Sequence, residues 1–135
     1  MKLVDLYEWT KHYITFRDIL KRQIVKKTFL STSIVIEEKK ETKLYLVMEN
    51  LSEAIAIIKK AKDKTIIIAT LNTIINCNKL IDNWDAFAKE AQLTVLFVDV
   101  VLNDKWSIHP STHQHIADTK TLKEGILSLH NLPKK

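Results

Sequence analysis

From Lys43 onward the chain alternates between runs with the period of a strand and runs with the period of a helix. Lys43-Leu-Tyr-Leu-Val-Met48, Thr65-Ile-Ile-Ile-Ala-Thr70 and Leu93-Thr-Val-Leu-Phe-Val-Asp-Val-Val101 are β-branched and aromatic stretches suited to strands. The middle run has the continuous apolar centre of a strand buried on both faces. Between the runs, Leu51, Ala54, Ile55, Ile58 and Ala61 line one helical face, and Cys77, Leu80, Ile81, Trp84, Phe87, Ala88 and Ala91 line another. Asn50 followed by Glu53 reads as a helix N-cap, and Asn76 or Asn78 is placed to cap the second helix. Strands separated by helices need right-handed crossovers and favour a parallel sheet. The pattern predicts an α/β sandwich with a mainly parallel sheet of about four strands.

The remaining segments fill out one domain over 1–135. Residues 1–27 read as an N-terminal helix unbroken by proline or glycine, with Leu6, Trp9, Tyr13, Phe16 and Leu20 on one stripe and Leu3, Tyr7, Ile14 and Val25 on a poorer one. Residues 28–48 read as a β-hairpin turning through Glu38-Lys-Lys-Glu-Thr42, with its first strand antiparallel at the sheet edge. Residues 49–101 form the βαβαβ region and 102–119 a histidine-containing loop. A closing helix over 120–132 turns Leu122, Ile126 and Leu129 inward. Because the first stripe runs at heptad spacing, it can meet the sheet or a second copy of itself, so a homodimer is expected.

Composition narrows the function. The only glycine is Gly125, inside the last predicted helix. Phosphate-cradling loops need glycine where backbone turns left-handed or approaches a pyrophosphate closely, so the dinucleotide fingerprint and the P-loop are excluded. No cofactor is expected. One cysteine permits no intramolecular disulfide, and Met1-Lys-Leu-Val-Asp5 lacks the layout of a signal peptide. The apolar runs are far too short to span a bilayer. These features predict a cytoplasmic chain with no membrane partner. Nineteen lysines against two arginines are what heat-adapted surfaces carry, and equally what an AT-rich genome encodes. The net charge of +5 allows attraction to nucleic acid.

Two regions carry candidate chemistry. Trp106-Ser-Ile-His-Pro-Ser-Thr-His-Gln-His-Ile-Ala-Asp118 holds three of the five histidines and follows the last predicted strand. Ligands of parallel sheets sit past the strands' carboxyl ends, where Glu49, Asn50, Asn72, Thr73, Asp99, Asn103 and Asp104 would also gather. Glu49, Asp99 and Asp104 with His109, His113 or His115 could then hold a divalent metal, with His113, His109 or Asp104 in catalysis. That is the pattern of a metal-dependent hydrolase or nuclease. Plainer roles exist for the same residues, since Asn50 and Asn76 suit caps and Asn103-Asp104 is a turn pair. The spacing H-x-x-x-H also lacks the glutamate of the zincin motif.

The second region is the N-terminal stripe. Trp9, Tyr13 and Phe16 could form a stacking platform for bases beside Lys21, Arg22, Lys26 and Lys27. The alternative is a packing surface with a solvated lysine edge. Cys77 lies on an apolar stripe with no nearby base, and reads as a small hydrophobe.

The order of strands ending at Glu49 and Asp99 resembles a toprim nucleotidyl-transfer domain. That family places Asp-x-Asp after the later strand where this chain has Asp99-Val-Val101, and its glycines are missing, so no activity carries over. The stretch 59–101 is similar to a small RNA-binding ribosomal-protein fold in its βαβ pattern alone. The primary expectation is a non-catalytic binding module for nucleic acid or a protein partner, contacted through Lys21, Arg22, Lys26 and Lys27. The metal-dependent hydrolase is the alternative.

Overall fold

The computed structural model describes residues 2–60, 65–90, 92–114 and 119–130. Helix α1 (Lys2–Lys21) is followed by strands β1 (Ile24–Phe29), β2 (Ser33–Glu38) and β3 (Thr42–Val47). A 3₁₀ turn (Leu51–Glu53) leads into α2 (Ala54–Lys60), β4 (Thr65–Leu71), α3 (Ile74–Asp82), α4 (Trp84–Ala88) and β5 (Leu93–Asp99). The chain then forms β6 (Asp104–Ile108), α5 (Pro110–Gln114) and α6 (Thr119–His130). Among the described residues, no helix is long and apolar enough to cross a membrane.

The fold is mixed α/β, built on an open six-stranded sheet in the order β1-β2-β3-β4-β5-β6. β3, β4 and β5 are parallel, as their helical crossovers require. The pairings β1–β2, β2–β3 and β5–β6 are antiparallel. The expected sheet of about four mainly parallel strands is therefore corrected to six strands with mostly antiparallel pairing. Two strands lay hidden in the sequence, one across the end of the expected N-terminal helix and one inside the expected histidine loop.

Local chemistry explains both. α1 stops at Lys21 because Arg22 adopts φ 48° and the Asp18 carboxylate accepts from Gln23 N at 2.7 Å and Ile24 N at 3.3 Å. This closes the helix without glycine and releases Ile24-Val-Lys-Lys-Thr-Phe29 as an edge strand. After β5, the Asp99 carboxylate accepts from Leu102 N at 3.1 Å and Asn103 takes φ 51°. Asparagine tolerates that left-handed backbone, so the chain reverses into β6 rather than leaving the sheet.

Each sheet face carries its own core. Leu6, Thr10 and Ile14, one helical turn apart, press α1 onto Ile34, Ile36, Tyr45, Val47, Ile67, Ala69, Leu96 and Val98. Thr10 is fully buried, and its hydroxyl donates to Leu6 O at 2.8 Å, which removes the penalty of its polarity. On the opposite face Leu51, Ala54, Ile58, Cys77, Leu80, Phe87 and Ile126 pack on Leu46, Ile66, Ile68, Val95 and Phe97. Trp106 of β6 stacks on Phe97 with ring centroids 4.2 Å apart and donates from Nε1 to Asn72 Oδ1 at 3.0 Å.

Asn76 departs from its expected role as a cap. Thr73 caps α3 instead, its hydroxyl accepting from Asn76 N at 3.2 Å. The Asn76 side chain is buried and ties three segments together. Its Oδ1 accepts from Leu51 N at 2.9 Å, and its Nδ2 reaches Glu49 O at 2.8 Å and Leu71 O at 2.9 Å. Asn50 caps the 3₁₀ turn as expected, accepting from Ser52 N at 3.0 Å.

Candidate ligand-binding groove

The phase of α1 decides which side chains reach solvent. With Leu6, Thr10 and Ile14 facing the sheet, the stripe of Trp9, Tyr13, Phe16 and Leu20 is rotated to the helix flank. Trp9 and Tyr13 are half-buried there, while Phe16 is 76% and Leu20 92% exposed. This flank faces the turn between β5 and β6. The two walls enclose an open groove of about 840 Å³. Trp9, His12, Tyr13, Phe16 and Ile19 line it from the helix, with Asn103, Asp104 and Lys105 opposite.

The groove is aromatic and positively flanked. Trp9 and Tyr13 stack at 5.1 Å with an interplanar angle of 13°. The cationic ends of Arg17 and Lys105 each lie 5.4 Å from the centroid of the Tyr13 ring, within cation–π range. Lys105 reaches this face because strand alternation sends Trp106 to the other one. Trp9 Nε1 donates to Asn103 Oδ1 at 2.8 Å and ties the walls together. Behind the groove, the positive charge of Arg17 also acts on the Tyr45 hydroxyl. Burial pushes that phenol up to about 12, against the opposing pull of Arg17, so it stays protonated at neutral pH. Among the lining residues two fixed cations, Arg17 and Lys105, stand against one carboxylate, Asp104.

The four basic residues read from the sequence lie near one end of α1, all exposed. Lys21 ends the helix, Arg22 makes the left-handed turn, and Lys26 and Lys27 belong to β1. Lys27 Nζ donates to Thr15 Oγ1 at 3.1 Å, which places that cation beside a groove-lining residue.

The histidine segment is arranged differently from a strand-end site. β6 carries the chain back along β5, so His109 lies beside the start of β5, its Nδ1 2.8 Å from Thr94 Oγ1. Asp99 and Asp104 face each other at the other end of that strand pair. The length of β6 separates Asp104 from His109, roughly 17 Å at about 3.3 Å per residue, far beyond what one ion could bridge. Glu49 follows β3, two strands from Asp99. Among the described residues, no three histidine, cysteine or acidic side chains are grouped as metal ligands. His113 falls in α5, but its side chain is outside the described part, as is all of His115. Cys77 is buried in the core, where burial pushes its thiol up to about 11.

Sequence reasoning missed Arg17 and Lys105 as parts of a site, and expected Asn103 at a strand-end rim rather than opposite α1. Arg17 could have been found, since it stands four residues from Tyr13 on a helix. The other two are brought to the groove by β6, which the sequence conceals. Comparison of the chain with protein-family models, curated proteins and solved structures finds no match.

Proposed function

We propose that this chain acts by binding rather than catalysis, and that its ligand is nucleic acid held in the groove between α1 and the β5–β6 turn. The observation that carries the reading is the interleaving of Trp9, Tyr13 and Phe16 with Arg17 and Lys105 around one open groove. Aromatic faces among cations are what a ligand with ring-shaped bases and phosphates requires. The exposed Lys21, Arg22, Lys26 and Lys27 extend the positive surface beyond the groove, and the net charge of +5 supplies long-range attraction.

The test is equilibrium binding of fluorescein-labelled oligonucleotides at several salt concentrations. Affinity should fall steeply with salt as lysine and arginine displace counterions from phosphate. Lys105→Glu and Arg17→Glu should each weaken binding and flatten the slope by about one counterion or more. Absence of binding to any oligonucleotide at low salt overturns the proposal. A symmetric dimer through the same helix stripe would then be the competing account, read by analytical ultracentrifugation.

A further inference from the structure

We propose that the groove takes unpaired bases, with the Phe16 ring as the open stacking platform, so that the ligand is single-stranded rather than duplex nucleic acid. The inference rests on the nucleic-acid reading of the same groove.

The rings of the groove are not equally available. Tyr13 already carries Trp9 stacked on it and the cations of Arg17 and Lys105 against it. Trp9 is further committed through its indole N–H to Asn103. Phe16 is 76% exposed, and among the described residues no ring or cation is paired with it. A phenyl ring offers a hydrophobic face and no hydrogen bond. It therefore recognises a flat apolar surface, and every base has one.

Cations reach the groove beside both chain neighbours of Phe16. Arg17, its chain neighbour, and Lys105 lie towards the sheet. Lys27 reaches Thr15, its other chain neighbour, from β1. A base laid on Phe16 thus has positive charge available to the phosphates on either side. The phenyl ring itself reads no base edge, so the sequence preference it imposes should be slight.

Duplex cannot use the platform. Its bases stack on one another, and presenting one face to a side chain requires flipping a nucleotide out of the helix. A duplex would meet only the cations, whereas an unpaired strand meets cations and ring together. Stacking on Phe16 is indifferent to the sugar, so DNA and RNA strands should bind alike.

The experiment compares a short oligothymidylate, its oligouridylate counterpart and a mixed-sequence duplex of equal length by fluorescence anisotropy. Phe16→Ala, Phe16→Trp and Lys105→Glu are measured beside the parent protein. Both single strands should bind within a few-fold of each other and more tightly than the duplex. Phe16→Ala should weaken single strands roughly tenfold or more, leave duplex affinity unchanged, and be rescued by Phe16→Trp. Lys105→Glu should weaken single strands and duplex together.

Equal affinity for duplex and single strand, with no effect of Phe16→Ala, overturns this inference while leaving nucleic-acid binding intact. No binding to any of the three overturns the functional reading itself. A parent dimer that Phe16→Ala converts to monomer, with unchanged oligonucleotide affinity, assigns the ring to a second copy and also overturns the inference. Phe16 is exposed, so its replacement should leave the fold intact, as checked by circular dichroism.

Discussion

The indole of Trp9 donates to the side-chain carbonyl of Asn103 at 2.8 Å, joining α1 to the β5–β6 turn across 94 residues of chain. Asn103 is also one of two described non-glycine residues with positive φ, at 51°. One residue thus sets the backbone of the turn and anchors the wall of the groove. Replacing it with alanine loses the hydrogen bond, about 0.5–1.5 kcal/mol, and keeps a β-carbon in left-handed backbone, which costs up to roughly 1–2 kcal/mol without the local side-chain bonding that lets asparagine tolerate it. Asn103→Gly loses the same bond but removes the β-carbon from the left-handed turn, against the smaller entropic cost of glycine. Urea unfolding should therefore show Asn103→Ala as the less stable variant, with unchanged m-values. Equal losses would mean the turn geometry carries no cost.

Asn76 should be the most sensitive polar position in the core. It is buried and joins the ends of β3 and β4 to the 3₁₀ turn before α2. Asn76→Ala leaves Leu51 N, Glu49 O and Leu71 O without this partner, and each stranded buried group costs about 1–3 kcal/mol. A total near 3 kcal/mol is expected, since some groups will recruit water. Asn78, two residues on and exposed, should tolerate alanine within about 0.5 kcal/mol. Thermal unfolding of the two variants side by side decides this.

The central βαβαβ order was legible because Ile66-Ile-Ile-Ala69 and its neighbours declare both their period and their double burial. The edges were not. Val25, Lys26 and Lys27 are compatible with helix by pattern, and only the Asp18 carboxylate meeting the backbone of Gln23 and Ile24 ends α1 early. β6 is five residues long with a lysine, a serine and an aspartate among them, so alternation is weak. Its pairing to β5 moves His109 to the opposite rim from Asp99.

The phase of α1 was hidden for another reason. Apolar residues encircle the helix, and the buried line contains Thr10, whose polarity argues against burial until its own hydroxyl bonds the preceding turn. The groove follows from that phase together with β6. Its aromatic members could be named from sequence, whereas their exposure and their partners across the sheet depend on tertiary packing.

Cys77 should behave as a core side chain towards thiol reagents. Its side chain is buried against the apolar face, and desolvation raises the thiol to about 11. Attack by a disulfide reagent needs both access and thiolate. At pH 8 the native protein should react only as fast as it opens, and addition of denaturant should release rapid, stoichiometric labelling. Fast labelling without denaturant would show that α3 opens locally.

Alkaline pH should destabilise the fold through Tyr45 and Cys77 together. Both acids are neutral when protonated, and burial favours that form in each. Tyr45 rises from 10.0 to about 12 and Cys77 from 9.0 to about 11. In the unfolded chain both return to ordinary values and release their protons at lower pH. The folded state therefore binds more protons than the unfolded one across this window, and stability falls as pH rises. The contribution should be complete below about pH 9 and gone by about pH 12. Lysine deprotonation overlaps the range, so the comparison is with variants. Tyr45→Phe keeps the ring but removes the phenol, and Cys77→Ala removes the thiol. Each should show a lower Tm than the parent at pH 8 or a similar one, but a shallower decline between pH 9 and 12. Parallel declines for parent and both variants would place the alkaline loss on the lysines instead.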